Sequence, residues 1–323
     1  MRTLVTGGAG YIGSVIAARL LARGHAVVVY DDLSRGHAAA VPPGAVLIAG
    51  GVRDAEGLRD ALATSGAEAV VHMAALAEVA ESVAQPERYR AVNVEGTATV
   101  IAAARDAGVR RLVFSSTAAV YGDPDGVPIE EDDRLAPTSP YGETKLAGER
   151  LLAAAAEAGD LSFTALRYFN ACGADGERGE DHDPESHLVP LALTAARDGV
   201  ELLVFGEDYP TPDGTCVRDY VHVVDLADAH VAALEGLPAT SGTFNLGTGS
   251  GDSVLTVLAT VEEVTGRPLR RVAAPRRPGD PPALVASNGR ALATLGWRPR
   301  RTLHDAVRDA WAWLLAHPEG YAD

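Results

Sequence analysis

The sequence contains few cysteines, few aromatic side chains and no long apolar run. Its 323 residues include two cysteines, Cys172 and Cys216, too few for a disulfide framework, so we expect the reducing environment of the cytoplasm. No stretch approaches the roughly 18 apolar residues of a membrane span. The chain begins with a predicted strand instead of a signal peptide. We therefore expect neither a membrane segment nor secretion.

Basic side chains are also scarce. Lysine and arginine together number 28 against 44 acidic residues, which gives a formal net charge of −16. A field of this sign repels nucleic-acid backbones and anionic membrane surfaces, so neither is expected as a partner. The hydrophobic fraction of 47% and the charged fraction of 22% are those of a globular protein large enough to bury a core.

Short β-branched runs alternate with Ala- and Leu-rich helical stretches through the first half of the chain. Several of these runs are apolar throughout, as at 27–29 and 112–114, which indicates a parallel sheet covered on both faces. We predict an α/β fold with a doubly wound parallel sheet of the Rossmann type. The predicted strands are residues 3–6, 26–30, 46–48, 69–72, 111–115 and 164–167.

The alternation ends near residue 171, where loops rich in Gly, Asp, Pro and Glu begin. We predict one domain at 1–170 and a smaller, loop-rich α/β substrate domain at 171–323. The segment 218–235 has the pattern of a strand followed by a helix, and it can pack back on the first domain.

The first predicted strand leads into a glycine-rich turn and an apolar helix. Gly7, Gly10 and Gly13 have the spacing at which glycines form a tight turn, admit a pyrophosphate and pack a helix against a strand. The second strand ends at Asp31, where a carboxylate binds both hydroxyls of an adenine ribose and repels a 2′-phosphate. Together these features predict binding of NAD rather than NADP, although the glycines alone would be weak evidence.

A second motif follows the strand that ends in hydroxyl residues at 115–117. Ser139 and Pro140 suit the start of a helix, and Tyr141 and Lys145, four residues apart, share one helix face. A phenol has an unperturbed pKa of about 10, and a neighbouring ammonium lowers it. Such a pair alone is commonly an ordinary surface pair. Beside a dinucleotide motif it indicates proton transfer.

These motifs, with others along nearly the whole chain, resemble the extended short-chain dehydrogenase/reductase superfamily and, within it, the UDP-glucose (UDP-galactose) 4-epimerases. Relatives that eliminate water carry an Asp-Glu pair where this chain has Ala118 and Ala119, so a dehydratase is disfavoured. The other segments that carry the resemblance are residues 81–83, 93–97, 167–170, 209–223, 245–247, 276–280 and 317–321.

The resemblance implies an NAD-dependent isomerase. Tyr141 would take the proton of the sugar 4-hydroxyl while NAD takes the C4 hydride, and Thr117 would hydrogen-bond the same oxygen. The 4-keto sugar would then turn over and receive the hydride on its opposite face. Lys145 would bind the nicotinamide ribose and lower the pKa of Tyr141.

The resemblance also implies binding residues and a homodimer, with helices near 92–107 and 141–156 meeting their copies. Among the substrate residues, two arginines and an asparagine would hold the diphosphate, an aspartate would hold the uridine ribose, and a leucine would border the sugar. The implied cofactor contacts are Gly7, Gly10, Tyr11, Ile12, Gly13, Asp31, Asp32, Val52, Ala74, Asn93, Ser115, Lys145 and Tyr168. The implied contacts to the UDP-sugar are Thr117, Tyr141, Asn170, His187, Phe205, Arg218, Arg277, Asp280 and Leu284.

The chain departs from the family pattern at three positions. Gly51 stands where the family has an Asp for the adenine amino group, and Ala77 stands where some members place a Lys near the cofactor ribose. We therefore expect weaker NAD retention than is usual. His187 stands where some members have Asn, so its contact with the diphosphate is less firmly implied.

Two other features are interpreted as non-catalytic. The segment 181–187 has metal-capable side chains but lies in a loop without helical or finger spacing, so no metal site is expected. The two cysteines have no histidine at a motif spacing and are interpreted as buried thiols. The alternatives left open are a 4-epimerase of another nucleotide sugar (a UDP-pentose, UDP-uronate or UDP-N-acetylhexosamine) and a non-enzymatic dinucleotide sensor. The intact set Thr117, Tyr141 and Lys145 argues against the sensor.

Overall fold

The computed structural model describes residues 1–277 and 279–322, so Pro278 of the 276–280 motif and Asp323 lie outside it. Strands β1 to β14 are Arg2–Thr6, Ala26–Asp31, Val46–Ala49, Ala69–His72, Arg111–Thr117, Ser162–Tyr168, Asn170–Cys172, Glu201–Phe205, Val217–Arg218, Tyr220–His222, Gly242–Leu246, Asp252–Ser253, Arg270–Ala274 and Ala283–Leu284. Helices α1 to α11 are Tyr11–Ala22, Ala55–Ser65, Val79–Ala84, Pro86–Tyr89, Gly96–Asp106, Pro140–Glu157, Leu188–Asp198, Val223–Gly236, Val254–Thr265, Gly289–Leu295 and Leu303–Ala316. Short 3₁₀ turns lie at Ala38–Ala40 and Ala118–Val120, and a π-helical turn lies at Arg90–Glu95.

Seven parallel strands form the main sheet, in the order β11-β6-β5-β4-β1-β2-β3. This confirms the predicted doubly wound α/β fold, and all six predicted strands are present. The order reverses between β1 and β4, which opens a crevice at the carboxyl ends of the strands where such folds bind ligands. The edge strand β11 was not predicted, because its sequence Gly-Thr-Phe-Asn-Leu lacks a β-branched apolar run.

Helices cover both faces of this sheet. One apolar cluster joins β1, β4 and β5 to α2, α5 and α6, and the other joins the sheet to α1 and α8. Helix α8 comes from the second half of the chain and packs beside α1, where Arg19 and Asp228 form a 2.6 Å ion pair. Helix α8 of the segment 218–235 thus lies against the main sheet, whereas its strands β9 and β10 pair with β12, β14 and β7. The boundary at residue 170 stays a prediction.

The second half of the chain forms a smaller body at the carboxyl edge of the sheet. Strand β6 runs almost directly into β7, and the backbone N–H of Asn170 donates a 2.9 Å hydrogen bond to the carbonyl of Asp219. Helices α7, α9 and α11 share a separate apolar cluster with β8. A small sheet of β12, β9 and β14 sets Leu284 opposite Arg218.

Both cysteines are buried and unpaired. Across residues 1–277 and 279–322, no helix combines the length and apolar character needed to span a membrane.

Candidate active site

The turn between β1 and α1 depends on two of its glycines for close packing. Gly7 has φ +69°, and a Cβ on it would lie 2.5 Å from the backbone nitrogen of Ala74, on the far side of the crevice. A Cβ on Gly13 would lie 2.1 Å from the carbonyl oxygen of Gly7. A Cβ on Gly10 would lie 3.5 Å from that same oxygen and near no other atom, so it would occupy the open space above the turn. This geometry fits a phosphate drawn against the backbone.

Helix α1 begins at this glycine-rich turn. Its N-cap, Gly10, makes no side-chain capping hydrogen bond, so the first-turn N–H groups near Tyr11 and Ile12, with the positive end of the helix dipole, suit an anion. The Tyr11 hydroxyl donates a 2.6 Å hydrogen bond to the carbonyl of Gly173, and burial raises its pKa well above the ordinary value. This hydrogen bond joins the smaller body to the glycine-rich turn between β1 and α1.

Asp31 ends β2 beside this turn. Its carboxylate accepts 2.9 Å hydrogen bonds from the backbone N–H groups of Ala9 and Leu33, which fix its orientation. Burial raises the pKa of Asp31, and the two backbone hydrogen bonds oppose that rise. A buried carboxylate in this place suits the two ribose hydroxyls of NAD and disfavours a 2′-phosphate.

The neighbouring surface, where the adenine would bind, is formed by Asp32, Gly51 and Val52. Val52 is buried, and Asp32 accepts a 3.0 Å hydrogen bond from the N–H of Ser34. A Cβ on Gly51 would lie 3.5 Å from the nearer carboxylate oxygen of Asp32, which is an ordinary contact. Position 51 therefore has room for a side chain, although the sequence supplies none.

Helix α6 carries the Tyr141 and Lys145 pair. Ser139 caps the helix through its side chain, and Pro140 occupies its first position as predicted. Tyr141 and Lys145 are both buried, and the Lys145 ammonium donates a 2.8 Å hydrogen bond to the carbonyl oxygen of Ser115. The pair therefore lies against the carboxyl half of β5.

Burial dominates the proton affinities of this pair. It raises the pKa of Tyr141 to about 12, although a hydrogen bond with Thr117 opposes the rise; Glu78 adds to it. Burial also lowers the pKa of Lys145 to about 7, while Glu149 opposes that fall. The net pKa of Tyr141 is therefore raised in the polypeptide itself, and the lowering expected from Lys145 stays a prediction for the cofactor-bound enzyme.

Three other predicted cofactor residues support the site through contacts with the protein. The hydroxyls of Ser115 and Tyr168 hydrogen-bond each other. Asn93, in the π-helical turn, donates 3.0 Å hydrogen bonds to the carbonyl of Leu76 and to the hydroxyl of Thr144. Asn93 thus connects the segment after β4 to the helix that carries Tyr141.

Five predicted substrate residues are connected in the smaller body. Arg218 and Asp280 form an ion pair, and Leu284 is the strand partner of Arg218. The guanidinium of Arg277 stacks over the ring of Phe205 at 4.2 Å, and the N–H of Asp280 donates a 3.3 Å hydrogen bond to the carbonyl of Arg277. Two guanidinium groups and a carboxylate in this arrangement suit a diphosphate next to a ribose.

The last predicted substrate residues occupy separate positions. Asn170 begins β7 and is partly exposed. His187 precedes α7, and its Nδ1 lies 2.9 Å from Glu180 and 2.8 Å from Glu185. Burial lowers the pKa of His187, but the two carboxylates outweigh that effect and raise it to about 11. Its imidazole is therefore engaged by carboxylates of its own loop.

Sequence reasoning missed the buried carboxylate of Glu149. It accepts hydrogen bonds of 2.9 and 2.6 Å from Arg167 and one from the hydroxyl of Ser116, beneath Lys145. The signal was available, since Glu149 follows Lys145 by four residues on the same helix face. Sequence reasoning also missed Glu180, which has no motif spacing.

The family model for the NAD dependent epimerase/dehydratase family matches residues 3–247. The chain belongs to this family. It is 49% identical to the UDP-glucose 4-epimerase of Streptomyces lividans over 99% of this chain and 98% of that protein.

Solved structures of UDP-glucose 4-epimerases are also similar to this chain over nearly its full length. The UDP-glucose 4-epimerase from Brucella ovis in complex with NAD has a TM-score of 0.93 at 45% identity, over 96% of this chain and 97% of that one. The UDP-glucose 4-epimerase from Stenotrophomonas maltophila with bound NAD and formylated UDP-arabinopyranose has a TM-score of 0.95 at 42% identity, over 98% and 99%. The protein is an NAD-dependent member of the epimerase/dehydratase family. Ala118 and Ala119 occupy the turn after β5, where neither side chain can act as an acid or base for dehydration.

Proposed function

We propose that the protein interconverts UDP-glucose and UDP-galactose by reversible oxidation at the sugar C4. The observation that carries this proposal is the buried set of Thr117 at the end of β5 and Tyr141 and Lys145 on α6, in a fold whose first strand leads into the glycine turn. Full-length similarity to UDP-glucose 4-epimerases supports the choice of substrate. When bound, NAD supplies the acceptor and donor of the C4 hydride.

Tyr141 exchanges the proton of the 4-hydroxyl in this scheme. Thr117 hydrogen-bonds the phenol and lowers its pKa against the effect of burial, which favours the phenolate needed for a base. Lys145 lies one turn further along α6 and orients the nicotinamide ribose. The positive charge of a bound nicotinamide would favour the phenolate further.

The nucleotide end of the substrate stays anchored while the sugar turns. Arg218 and Arg277 bind the diphosphate, and Asp280, already paired with Arg218, accepts a hydrogen bond from the uridine ribose. The 4-keto sugar then presents its opposite face, and Tyr141 returns the proton to the C4 oxygen. Hydride leaves and returns at one carbon, so NAD is regenerated in each cycle.

The variant Tyr141→Phe tests this assignment. It keeps the ring but removes the proton-transfer group, so kcat should fall by about 10² to 10⁴-fold. Binding of NAD and of UDP, measured by calorimetry, should stay near the wild-type values because those contacts lie elsewhere. Thr117→Val should lower kcat less, since it removes only the assisting hydrogen bond. A Tyr141→Phe enzyme at near wild-type rate contradicts the mechanism.

A second candidate substrate class is another nucleotide sugar. Leu284 pairs with Arg218 across the small sheet. If it borders the sugar, as the family resemblance implies, it leaves more space there than a tyrosine would. The Stenotrophomonas maltophila structure holds a formylated UDP-arabinopyranose. Separate incubations with UDP-galactose, UDP-arabinose, UDP-GlcNAc and UDP-glucuronate, resolved by chromatography, distinguish these substrates by rate.

We also propose that the protein is a cytoplasmic homodimer. Helices α5 and α6 lie side by side and present small exposed residues, including Ala98 and Ala154, that allow a close approach of two copies. The two buried, unpaired cysteines accord with a reducing compartment. Sedimentation should give twice the chain mass of 33.5 kDa at micromolar concentration, and a monomer mass would contradict the dimer.

A further inference from the structure

Four metal-capable side chains converge in the loop between β7 and α7. One ligand atom from each of Glu180, His182, Glu185 and His187 lies within 4.8 Å of all the others. The sequence predicted no metal here because the residues lack helical or finger spacing. The loop brings them together without either spacing.

The separations lie on either side of those in a tetrahedral site. With metal–ligand bonds of about 2.0 to 2.2 Å, ligand atoms in a tetrahedron are about 3.3 to 3.6 Å apart. Nδ1 of His182 lies 3.3 Å from Glu180 and 4.0 Å from Glu185, and Nδ1 of His187 lies 2.9 and 2.8 Å from the same two carboxylates. Shifts of about half an ångström would therefore accommodate a metal ion.

The ring of His182 turns a buried nitrogen towards the carboxylates. Its Nδ1 makes no hydrogen bond of good geometry among the described residues, and its nearest ionic neighbour is Glu180 at 3.3 Å. A metal ion at the centre of the cluster would give this nitrogen a closer partner than that long ion pair. The rings of His182 and His187 lie 5.4 Å apart.

The surrounding protein holds the cluster in place. One carboxylate oxygen of Glu185 accepts hydrogen bonds of 2.6 and 2.7 Å from the N–H groups of Ser186 and His187. Arg35 donates a 2.7 Å hydrogen bond to the carbonyl of Asp183. The ring of Tyr11 meets His182 edge-on at 6.4 Å. These contacts fix the ligands before any metal binds.

We propose that Glu180, His182, Glu185 and His187 form a structural site for a divalent transition metal, with zinc as the preferred ion. Two imidazole nitrogens and two carboxylate oxygens suit zinc, whereas magnesium and calcium prefer oxygen ligands alone. Two carboxylates balance the dication once metal binding has displaced the protons of the ligating ring nitrogens. All four positions come from the protein, so the site is closed and structural rather than catalytic.

The metal would stabilise the contact between the smaller body and the cofactor-binding side of the main sheet. The loop that it closes contacts Tyr11 through His182, and the hydroxyl of Ser186 donates a hydrogen bond to Glu78 on the segment that precedes α3. Zinc that binds only the folded chain raises its stability by mass action.

Zinc titration of the chelator-treated full chain tests the site. Competition with a chromophoric chelator and metal analysis should give one zinc ion per wild-type chain. His182→Ala should weaken the affinity by at least roughly 10-fold, the lower end of losses seen even for residues that support a metal ligand. His304→Ala is the matched control, because it removes an exposed histidine of α11 outside the cluster.

Thermal unfolding gives a second measurement. Zinc should raise Tm of the wild type and of His304→Ala, and should leave Tm of His182→Ala nearly unchanged. Circular dichroism of the metal-free proteins shows whether His182→Ala is folded, and Glu185→Gln serves as the ligand variant if it is not. Equal zinc affinity in wild type and the ligand variant, or no zinc-dependent Tm shift in the wild type, would overturn the proposal. Either result would mean that the four side chains form ion pairs with one another and do not bind a metal.

Discussion

The Lys145 ammonium donates a 2.8 Å hydrogen bond to the carbonyl oxygen of Ser115 and so joins helix α6 to strand β5. It also lies 5.2 Å from the centre of the Phe114 ring, in a site from which water is almost excluded. Burial of a lysine favours its neutral form. Lys145 is the only lysine among the 323 residues, which makes its protonation directly measurable.

NMR titration of protein labelled with [ε-¹³C]lysine should show a single lysine side-chain signal. Because burial lowers the pKa of Lys145 to about 7, the signal should titrate near neutrality, whereas an exposed lysine titrates near about 10.4. A midpoint above about 9.5 would contradict the burial argument.

The same pKa predicts a pH dependence of stability. Between about 7 and about 10.4 the unfolded lysine holds a proton that the folded one has released, so the Lys145 contribution to the free energy of unfolding rises with pH. Below about 7 both states are protonated and this contribution is constant at its lowest value. Urea unfolding of wild type and Lys145→Met across this range should give a difference that grows with pH. A constant difference would contradict the prediction.

Removing the carboxylate of Glu149 should destabilise the fold strongly. Glu149→Ala leaves Arg167, whose side chain is 4% exposed, without its charged partner, and breaking a buried pair in this way costs about 3 to 5 kcal/mol. The matched control is Asp106→Ala, which breaks the exposed 3.2 Å pair with Arg59 and should cost at most about 1 kcal/mol. Equal losses in the free energy of urea unfolding for the two variants would mean that the buried pair stabilises the fold no more than the exposed pair does.

Restoring a carboxylate at position 51 should strengthen NAD retention. Gly51→Asp has room for its Cβ, and its oxygens would accept a hydrogen bond from the adenine amino group. Gly51→Ala fills the same space without an acceptor and should retain NAD like the wild type. Bound NAD is measured after gel filtration. Full occupancy of the wild type after extensive dialysis would show that the missing carboxylate has no effect.

Leu284 should influence the size of the sugar that is accepted. Leu284→Tyr narrows the pocket beside Arg218, so the ratio of kcat/KM for UDP-GalNAc over UDP-galactose should fall by about 5- to 150-fold, which corresponds to about 1 to 3 kcal/mol. Leu292→Tyr, at an exposed position of α10, is the control and should leave the ratio unchanged. An unchanged ratio in Leu284→Tyr would show that this residue does not select the sugar.

Local patterns explain how much of the fold and site could be predicted. The six apolar runs and the glycine turn depend on neighbouring residues, so their strands lie within two residues of the predicted ends. Strand β11 depends on pairing with β6, which its own sequence does not encode. The Tyr141 and Lys145 pair follows from helical spacing alone.

Long-range contacts explain the rest. Arg218 and Asp280 were implied only by the family resemblance, because their pairing comes from the fold of the smaller body. The cluster around Glu180 was rejected because spacing rules describe helices and fingers, whereas an irregular loop brings ligands together by its own hydrogen bonds. Spacing could not predict the raised pKa of Tyr141 in the polypeptide itself, since it comes from burial of the phenol and is opposed only by the hydrogen bond with Thr117.

Conversion of UDP-[4-²H]glucose in ordinary water tests the proposed reaction most directly. The account predicts that a catalytic amount of NAD supports many turnovers, and that mass spectrometry finds UDP-galactose with its deuterium still on C4, because the hydride returns to the carbon that it left. Absence of UDP-galactose, or loss of the deuterium to solvent during its formation, would contradict the account.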